Sequence, residues 1–160
     1  MVDVTSAALR GGQLFLTVLT LALSGALVAQ QAIGGSPSQV NFALFASIFS
    51  LLTCFYTLFA VFAFSGVAIV LVGLDAFNTL FTFAAGTALA ARLGVHSCGN
   101  MPYVITNPIT NGSADPTGRC HEAQALTAFM WFLFVTFVVT CVFSVMGWRR
   151  GTGPASTSHV

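Results

Sequence analysis

The stretch VAIVLVGLDAFNTLFTFAAGTALAA, residues 67–91, decides the class of this protein. It contains one charged residue, Asp75, among apolar and small residues. A helix that crosses a bilayer needs about 20 consecutive, mostly apolar residues. The stretch therefore predicts a membrane-spanning helix with a single carboxyl group inside it.

Three further segments are also long and mostly apolar, at residues 11–32, 42–64 and 125–148. Over the whole chain, hydrophobic residues make up 56% and charged residues only 6%, whereas a soluble domain carries about 25% charged residues. No segment alternates apolar and polar residues as a barrel strand would. We therefore predict an all-α membrane protein, a bundle of four transmembrane helices within residues 1–150, and a disordered cytosolic tail at residues 151–160.

The basic residues at the ends of the bundle indicate its orientation. Arg149 and Arg150 directly follow the fourth segment, with Trp148 as an interface anchor, and Arg10 precedes the first segment. Cytosolic loops and termini carry the excess of arginine and lysine, so both termini are expected in the cytosol. A competing interpretation makes the first segment a cleaved signal peptide, but the residues near Ala29 form a poor cleavage site.

A loop of residues 92–122 is the only long connection between the predicted helices, and cysteines lie near both of its ends. We expect a disulfide between Cys98 and Cys120, which requires an oxidising, extracellular compartment. Free thiols are one alternative, and a zinc site formed with His96 and His121 is another. The loop also carries Asn111-Gly112-Ser113, which makes Asn111 a candidate N-glycosylation site.

Polar residues recur at three- and four-residue spacing along each predicted helix, and in lipid such stripes mark faces where helices meet. On the third helix the stripe consists of Asp75, Asn78, Thr82 and Gly86. A carboxyl group inside a membrane is costly and is a functional candidate by default. The favoured interpretation is a structural lock, hydrogen-bonded to the Thr and Gln stripes of the other helices. The competing interpretation is a proton or cation relay, or a group that senses lipid.

Two stretches resemble a known family. Residues 74–90, LDAFNTLFTFAAGTALA, continue to His96-Ser97-Cys98, and residues 118–125 read GRCHEAQA. They are similar to the third helix and the start of the fourth helix of fungal non-classical export proteins, which are tetraspan proteins of the MARVEL-domain group. The family pattern carries over to Asp75, Asn78, Gly86, Cys98 and Cys120, and the resemblance extends from the first helix to about residue 148.

The resemblance implies a multi-pass plasma-membrane protein of fungal eisosome-type microdomains, responsive to sphingolipid and linked to export of proteins that lack signal peptides. Its expected partners are sphingolipid and sterol, further copies of itself and neighbouring membrane proteins. Neither a cofactor nor a metal is expected, and a net charge of +1 offers no surface for nucleic acid. No catalytic arrangement is apparent, so we predict that the protein is not an enzyme. The alternative function is a small transporter or channel that uses Asp75.

Overall fold

The computed structural model describes residues 4–32, 34–63 and 68–149. Five helices form, and in this part of the chain there are no strands. Four of the helices are long and apolar enough to cross a membrane, which confirms the predicted four-span architecture. The helices are α1 (Val4–Ala29), α2 (Ser38–Ala63), α3 (Ala68–Leu93), the short α4 (Met101–Val104) and α5 (Pro116–Arg149).

The helix ends differ from those predicted from hydropathy. Helix α1 begins at Val4, before the predicted start at residue 11, and α5 begins at Pro116, well before residue 125. The predicted end of the second span at residue 64, the start of the third at residue 67, and the tail at 151–160 lie outside the described residues.

Local chemistry explains the early start of α5. Proline fits the first position of a helix, where its missing N–H is not needed. The Asp115 carboxylate accepts a hydrogen bond from the backbone N–H of Gly118 at 3.0 Å, as an N-terminal cap does. The helix is 34 residues long, or about 51 Å at 1.5 Å per residue. That length exceeds the roughly 30 Å of bilayer hydrocarbon, so its first turns extend beyond the membrane.

The four long helices form a square bundle. Helix α1 packs against α2 and α5, and α3 packs against the same two helices. No Cα atom of α1 lies within 8 Å of a Cα atom of α3 in the described ranges, so these two helices occupy opposite corners. Any direct link between them must therefore be made by long side chains across the centre of the bundle.

The interior of the bundle is unusually polar. Many of its hydroxyl groups donate to a carbonyl of their own helix three or four residues earlier, as Ser24 does to Thr20 and Ser47 to Ala43 at 2.7 and 2.9 Å. Such hydroxyls are satisfied locally and still allow the helices to approach closely. Fully buried polar side chains are found on all four helices: Gln13, Thr17, Thr20, Ser24, Ser47, Ser50, Asp75, Asn78 and Thr82 have no exposed surface, and Thr53, Thr57 and Thr140 have almost none.

The loop before α5 forms a compact cap on the bundle, which we call the outer cap (residues 94–115). The expected disulfide between Cys98 and Cys120 is present, with 5.7 Å between the Cα atoms, so both thiols are unavailable to zinc. Val104 of α4 packs against the two cysteines. The Tyr103 hydroxyl donates to the carbonyl of Leu93, and burial raises the pKa of this phenol above its ordinary value.

The disulfide yields a direct chemical prediction. Alkylation of the unfolded protein without reductant should label Cys54 and Cys141, which are free thiols, and leave Cys98 and Cys120 unlabelled. The double change Cys98→Ser and Cys120→Ser should lower the free energy of unfolding by about 3 kcal/mol, because the unfolded chain loses its loop constraint. Cys141→Ser is the matched control and should leave stability nearly unchanged. Labelling of Cys98 and Cys120 in the unreduced protein would contradict the assignment.

Candidate functional site

Asp75 lies at the centre of the candidate site and forms an ion pair. The Arg10 guanidinium donates from Nη1 to Asp75 Oδ1 at 2.6 Å and from Nη2 to Oδ2 at 2.7 Å. The carboxylate is fully buried, and the arginine is 7% exposed. Two parallel, charge-assisted hydrogen bonds of this kind are among the strongest that side chains make. The pair therefore holds both charges in one fixed geometry.

The ion pair crosses the diagonal of the bundle. Arg10 belongs to α1 and Asp75 to α3, which form one of the two diagonal pairs of spans with no Cα atoms within 8 Å of each other over their described residues. An arginine combines the length needed to reach across with a planar fork that matches a carboxylate. This contact is therefore a direct connection between opposite corners of the bundle.

Side chains of α1 and α5 complete the surroundings of the pair. Gln13 accepts a hydrogen bond from Arg10 Nη1 at 3.1 Å and donates from Nε2 to the Thr140 hydroxyl at 2.8 Å. The Ser144 hydroxyl donates to Asp75 Oδ2 at 3.2 Å. We call these five residues, Arg10, Gln13, Asp75, Thr140 and Ser144, the ion-pair cluster. Through it, α1, α3 and α5 are held together by polar contacts.

A second polar contact joins α3 to α2. Asn78 lies nearly one turn after Asp75 and accepts a hydrogen bond from the Ser50 hydroxyl at 2.8 Å. Its Nδ2 donates to the Thr53 hydroxyl at 2.9 Å and to the Leu74 carbonyl at 2.8 Å. Asp75 and Asn78 together therefore connect α3 to all three of the other spans.

The other two candidates on α3 have different roles. The Thr82 hydroxyl donates to the carbonyl of Asn78 at 2.7 Å and so remains within its own helix. A side chain at Gly86 would place its first carbon 3.4 Å from Trp131 Nε1 and 3.5 Å from Met130 Cβ. Glycine therefore allows α3 and α5 to approach closely here. The structure assigns hydrogen bonding between helices to Asp75 and Asn78, and packing to Gly86.

A second buried arginine, Arg119, lies at the opposite end of the bundle. Its Nε donates to the carbonyl of Ile109 at 2.6 Å, and its Nη2 donates to Gln31 Oε1 at 2.5 Å. Nearby, the Gln30 amide donates to the Glu122 carboxylate at 3.0 Å. The Arg119 contacts fasten the outer cap to α5 and to the residues that directly follow α1, and the Gln30 contact adds a further link between those residues and α5. The sequence did not predict this role for Arg119, which lies within the GRCHEAQA stretch.

Comparison with known proteins decides the family. Residues 3–143 match the model of MARVEL, a membrane-associating domain. The chain is 41% identical over 153 residues to non-classical export protein 102 of Candida albicans, with 94% of this chain and 88% of that protein aligned. It is 35% identical over 138 residues to the non-classical export protein 2 homolog of Schizosaccharomyces pombe, with 85% and 74% aligned. No solved structure gives a significant match.

The chain belongs to the MARVEL family, among the fungal non-classical export proteins. The resemblance seen in the sequence is thereby confirmed. A third relative, non-classical export protein 2 homolog 1 of Saccharomyces cerevisiae, is 35% identical over 144 residues, covering 88% of this chain and 79% of that protein.

In this MARVEL domain, Arg10 has a role that was not predicted. The sequence placed it before the first helix as an orientation signal, but α1 begins at Val4 and Arg10 is buried within it. Its charge is neutralised by Asp75, so Arg10 no longer counts as a free cation in the positive-inside argument. The prediction that Asp75 is hydrogen-bonded mainly to the Thr and Gln stripes was also wrong in part. The principal partner of Asp75 is Arg10.

The remaining candidates lie away from the ion-pair cluster. Trp148 and Arg149 are exposed at the end of α5, in a position that suits an interface anchor. Arg150 lies outside the described residues. Asn111 is exposed in the outer cap, and its side-chain amide donates to the carbonyl of Ile105 at 2.9 Å. Cys54 is buried between α1 and α2, with its sulfur 3.8 Å from the Thr17 hydroxyl.

The ion pair predicts an unequal response to two substitutions of similar size. Asp75→Asn leaves the buried guanidinium without its counter-charge and should cost about 3 kcal/mol, the lower end of the range for broken buried pairs. The low end applies because Arg10 lies near the start of its helix, where a released side chain can extend to the headgroups. Ser144→Ala removes one hydrogen bond between helices and should cost about 0.6 kcal/mol. Unfolding in mild detergent measures both values, and equal effects would contradict the ion pair.

Proposed function

We propose that the protein organises the plasma membrane laterally and has no enzymatic activity. It gathers sterol- and sphingolipid-related microdomains of the eisosome type and responds to sphingolipid. The observation that carries this proposal is the pairing of Arg10 with Asp75, because it engages both oxygens of Asp75, the buried carboxylate of the spans. With its interior groups occupied, the molecule offers its outer surface to other molecules.

That outer surface includes a cluster of phenylalanine rings on α2 and α3, which we call the aromatic panel. Phe81 is its centre and lies within 5.2 to 6.4 Å of the other four rings, measured between centroids. Phe45 and Phe77 are 50% and 55% exposed, towards the region that lipid would occupy. The panel consists of Phe42, Phe45, Phe49, Phe77 and Phe81.

A rigid panel favours rigid neighbours. A flexible acyl chain loses conformational freedom when it is ordered against a surface, whereas a fused ring system has little freedom to lose. Interlocked aromatic rings also offer a large apolar contact area. These properties support sterol, ordered sphingolipid chains and further copies of the protein as lateral partners.

The relatives carry the words non-classical export in their names. We propose that this chain is likewise linked to export of proteins that lack signal peptides, through the membrane domains that it organises. For orientation, Arg149 at the end of α5 favours cytosolic termini. The disulfide in the outer cap supports an oxidising compartment on the opposite side.

The geometry gives less support to a transporter or channel that uses Asp75. A relay group must release and recapture its ion, but both oxygens of this carboxylate are bound by Arg10. Many transporters bind substrate at interrupted helices, whereas the four long helices here are continuous over their described lengths. A flux assay in reconstituted vesicles separates the two functions, since movement of a substrate that is lost in Asp75→Asn would favour transport.

Lateral organisation is tested by replacing the two most exposed rings of the aromatic panel with smaller apolar side chains. The double change Phe45→Leu and Phe77→Leu keeps the surface apolar but removes two exposed rings. We expect clusters of a fluorescent fusion in the plasma membrane to be largely lost. The stability in detergent should fall by at most about 1 kcal/mol per site, because both rings are half exposed.

Phe143→Leu is the matched control, because Phe143 is 51% exposed on α5, away from the panel. It should cluster as the parent protein does. Normal clustering of the panel variant would show that the aromatic panel is not the contact surface. Uniform distribution of the parent protein in the membrane would contradict the organiser function itself.

A further inference from the structure

Three apolar side chains are exposed in the outer cap, beyond the end of a membrane span. Val95 is 103% exposed, and Met101 and Ile105 of the α4 segment are each 53% exposed. Met101 and Ile105 lie four residues apart, about one helical turn, and neighbouring exposed apolar groups commonly mark a contact with a membrane or a partner.

Hydrogen bonds fix α4 close to the edge of the hydrocarbon. The Tyr103 hydroxyl donates to the carbonyl of Leu93, the last residue of the span formed by α3. The Asn107 amide donates to the carbonyl of Arg92, one residue earlier, at 2.8 Å. The hydrocarbon core is about 30 Å thick and the whole bilayer about 40–45 Å, which leaves roughly 5–8 Å of headgroup layer on each side. A helix tied to the last turn of α3 lies within that layer.

Val95 supports a position in lipid. Gly94 ends α3 in the left-handed region, at φ 59°, and its N–H bonds to the carbonyl of Ala90 at 2.9 Å. In helix ends of this kind, an apolar residue just after the glycine often packs back onto the last turn. Val95 is instead completely exposed, so its side chain is free to enter an apolar environment outside the protein.

The charge beside these residues fits a headgroup layer. The Arg92 side chain is exposed at the end of α3, and its guanidinium has no hydrogen-bond or ion-pair partner among the residues that the structure describes. Surfaces that lie in a membrane interface combine buried apolar side chains with arginine or lysine at phosphate level. Arg92 provides that cation in the last turn of α3, to which the segment after α4 is hydrogen-bonded.

We propose that Val95, Met101 and Ile105 insert into the interfacial layer of the bilayer, with the Arg92 guanidinium on a lipid phosphate. The outer cap is then held from two sides, by the Cys98–Cys120 disulfide to α5 and by lipid at α4. This inference does not depend on the proposed function, because it concerns the layer at the end of α3, whichever compartment that layer faces.

Depth-dependent quenching of tryptophan fluorescence tests the proposal. Trp131 and Trp148 are first replaced by Phe, and a single tryptophan is then introduced by Ile105→Trp. In phosphatidylcholine nanodiscs, its emission should be blue-shifted. Lipids brominated near the headgroup end of the acyl chain should quench most of it, and aqueous iodide should quench little.

Ala114→Trp in the same background is the matched control, because Ala114 is exposed just before the first turns of α5, which extend beyond the membrane. Its emission should be quenched by iodide and not by brominated lipid. If the tryptophan at residue 105 behaves like that at residue 114, the proposal is overturned. Met101→Trp provides a second probe if the first variant does not form the disulfide, and iodide quenching there would overturn the proposal equally.

Discussion

A charged group cannot remain unpaired inside a bilayer without a large cost in free energy. The bundle avoids this cost by pairing its buried carboxylate with a buried arginine. Asp75 is met by Arg10 from the opposite corner, and the two charges share two hydrogen bonds. No Cα atoms of α1 and α3 lie within 8 Å of each other in the described ranges, so the pair joins two helices whose backbones stay apart. Gln13 and Ser144 extend the contact to α5, while Asn78 serves α2 nearly one turn away.

The two ends of the bundle are stabilised by different means. The end formed by the start of α1 and the end of α5 depends on the ion-pair cluster, which lies about 9 Å into α3 from Ile69 at 1.5 Å per residue. The opposite end depends on the disulfide and on Arg119, which is 1% exposed and joins the outer cap to Gln31. With both ends and the interior fixed, the lateral surface, including the aromatic panel, is the part available for association. This division supports an organising role better than a catalytic or transport role.

The sequence predicted those features that follow from composition and from neighbours along the chain. Four spans follow from apolar length, and the disulfide followed from two cysteines near the ends of one loop. The Arg10–Asp75 pair did not follow, because helical spacing shows which side of a helix faces inward but not which helix lies opposite. The sequence does contain a signal for the early start of α5, which is Asp115 followed by Pro116. Because Arg119 and Glu122 are charged, a prediction from hydropathy placed the start of the helix after them.

The most direct test of the central claim is a double-mutant cycle on the ion pair, with stability measured by unfolding in lipid bicelles. Arg10→Met and Asp75→Leu should each cost about 3–5 kcal/mol, since each leaves one buried group without its partner. The double variant should recover most of that loss, because two apolar side chains leave no unpaired charge. Costs of the two single variants that simply add in the double variant would contradict the account, since they would show that Arg10 and Asp75 do not depend on each other.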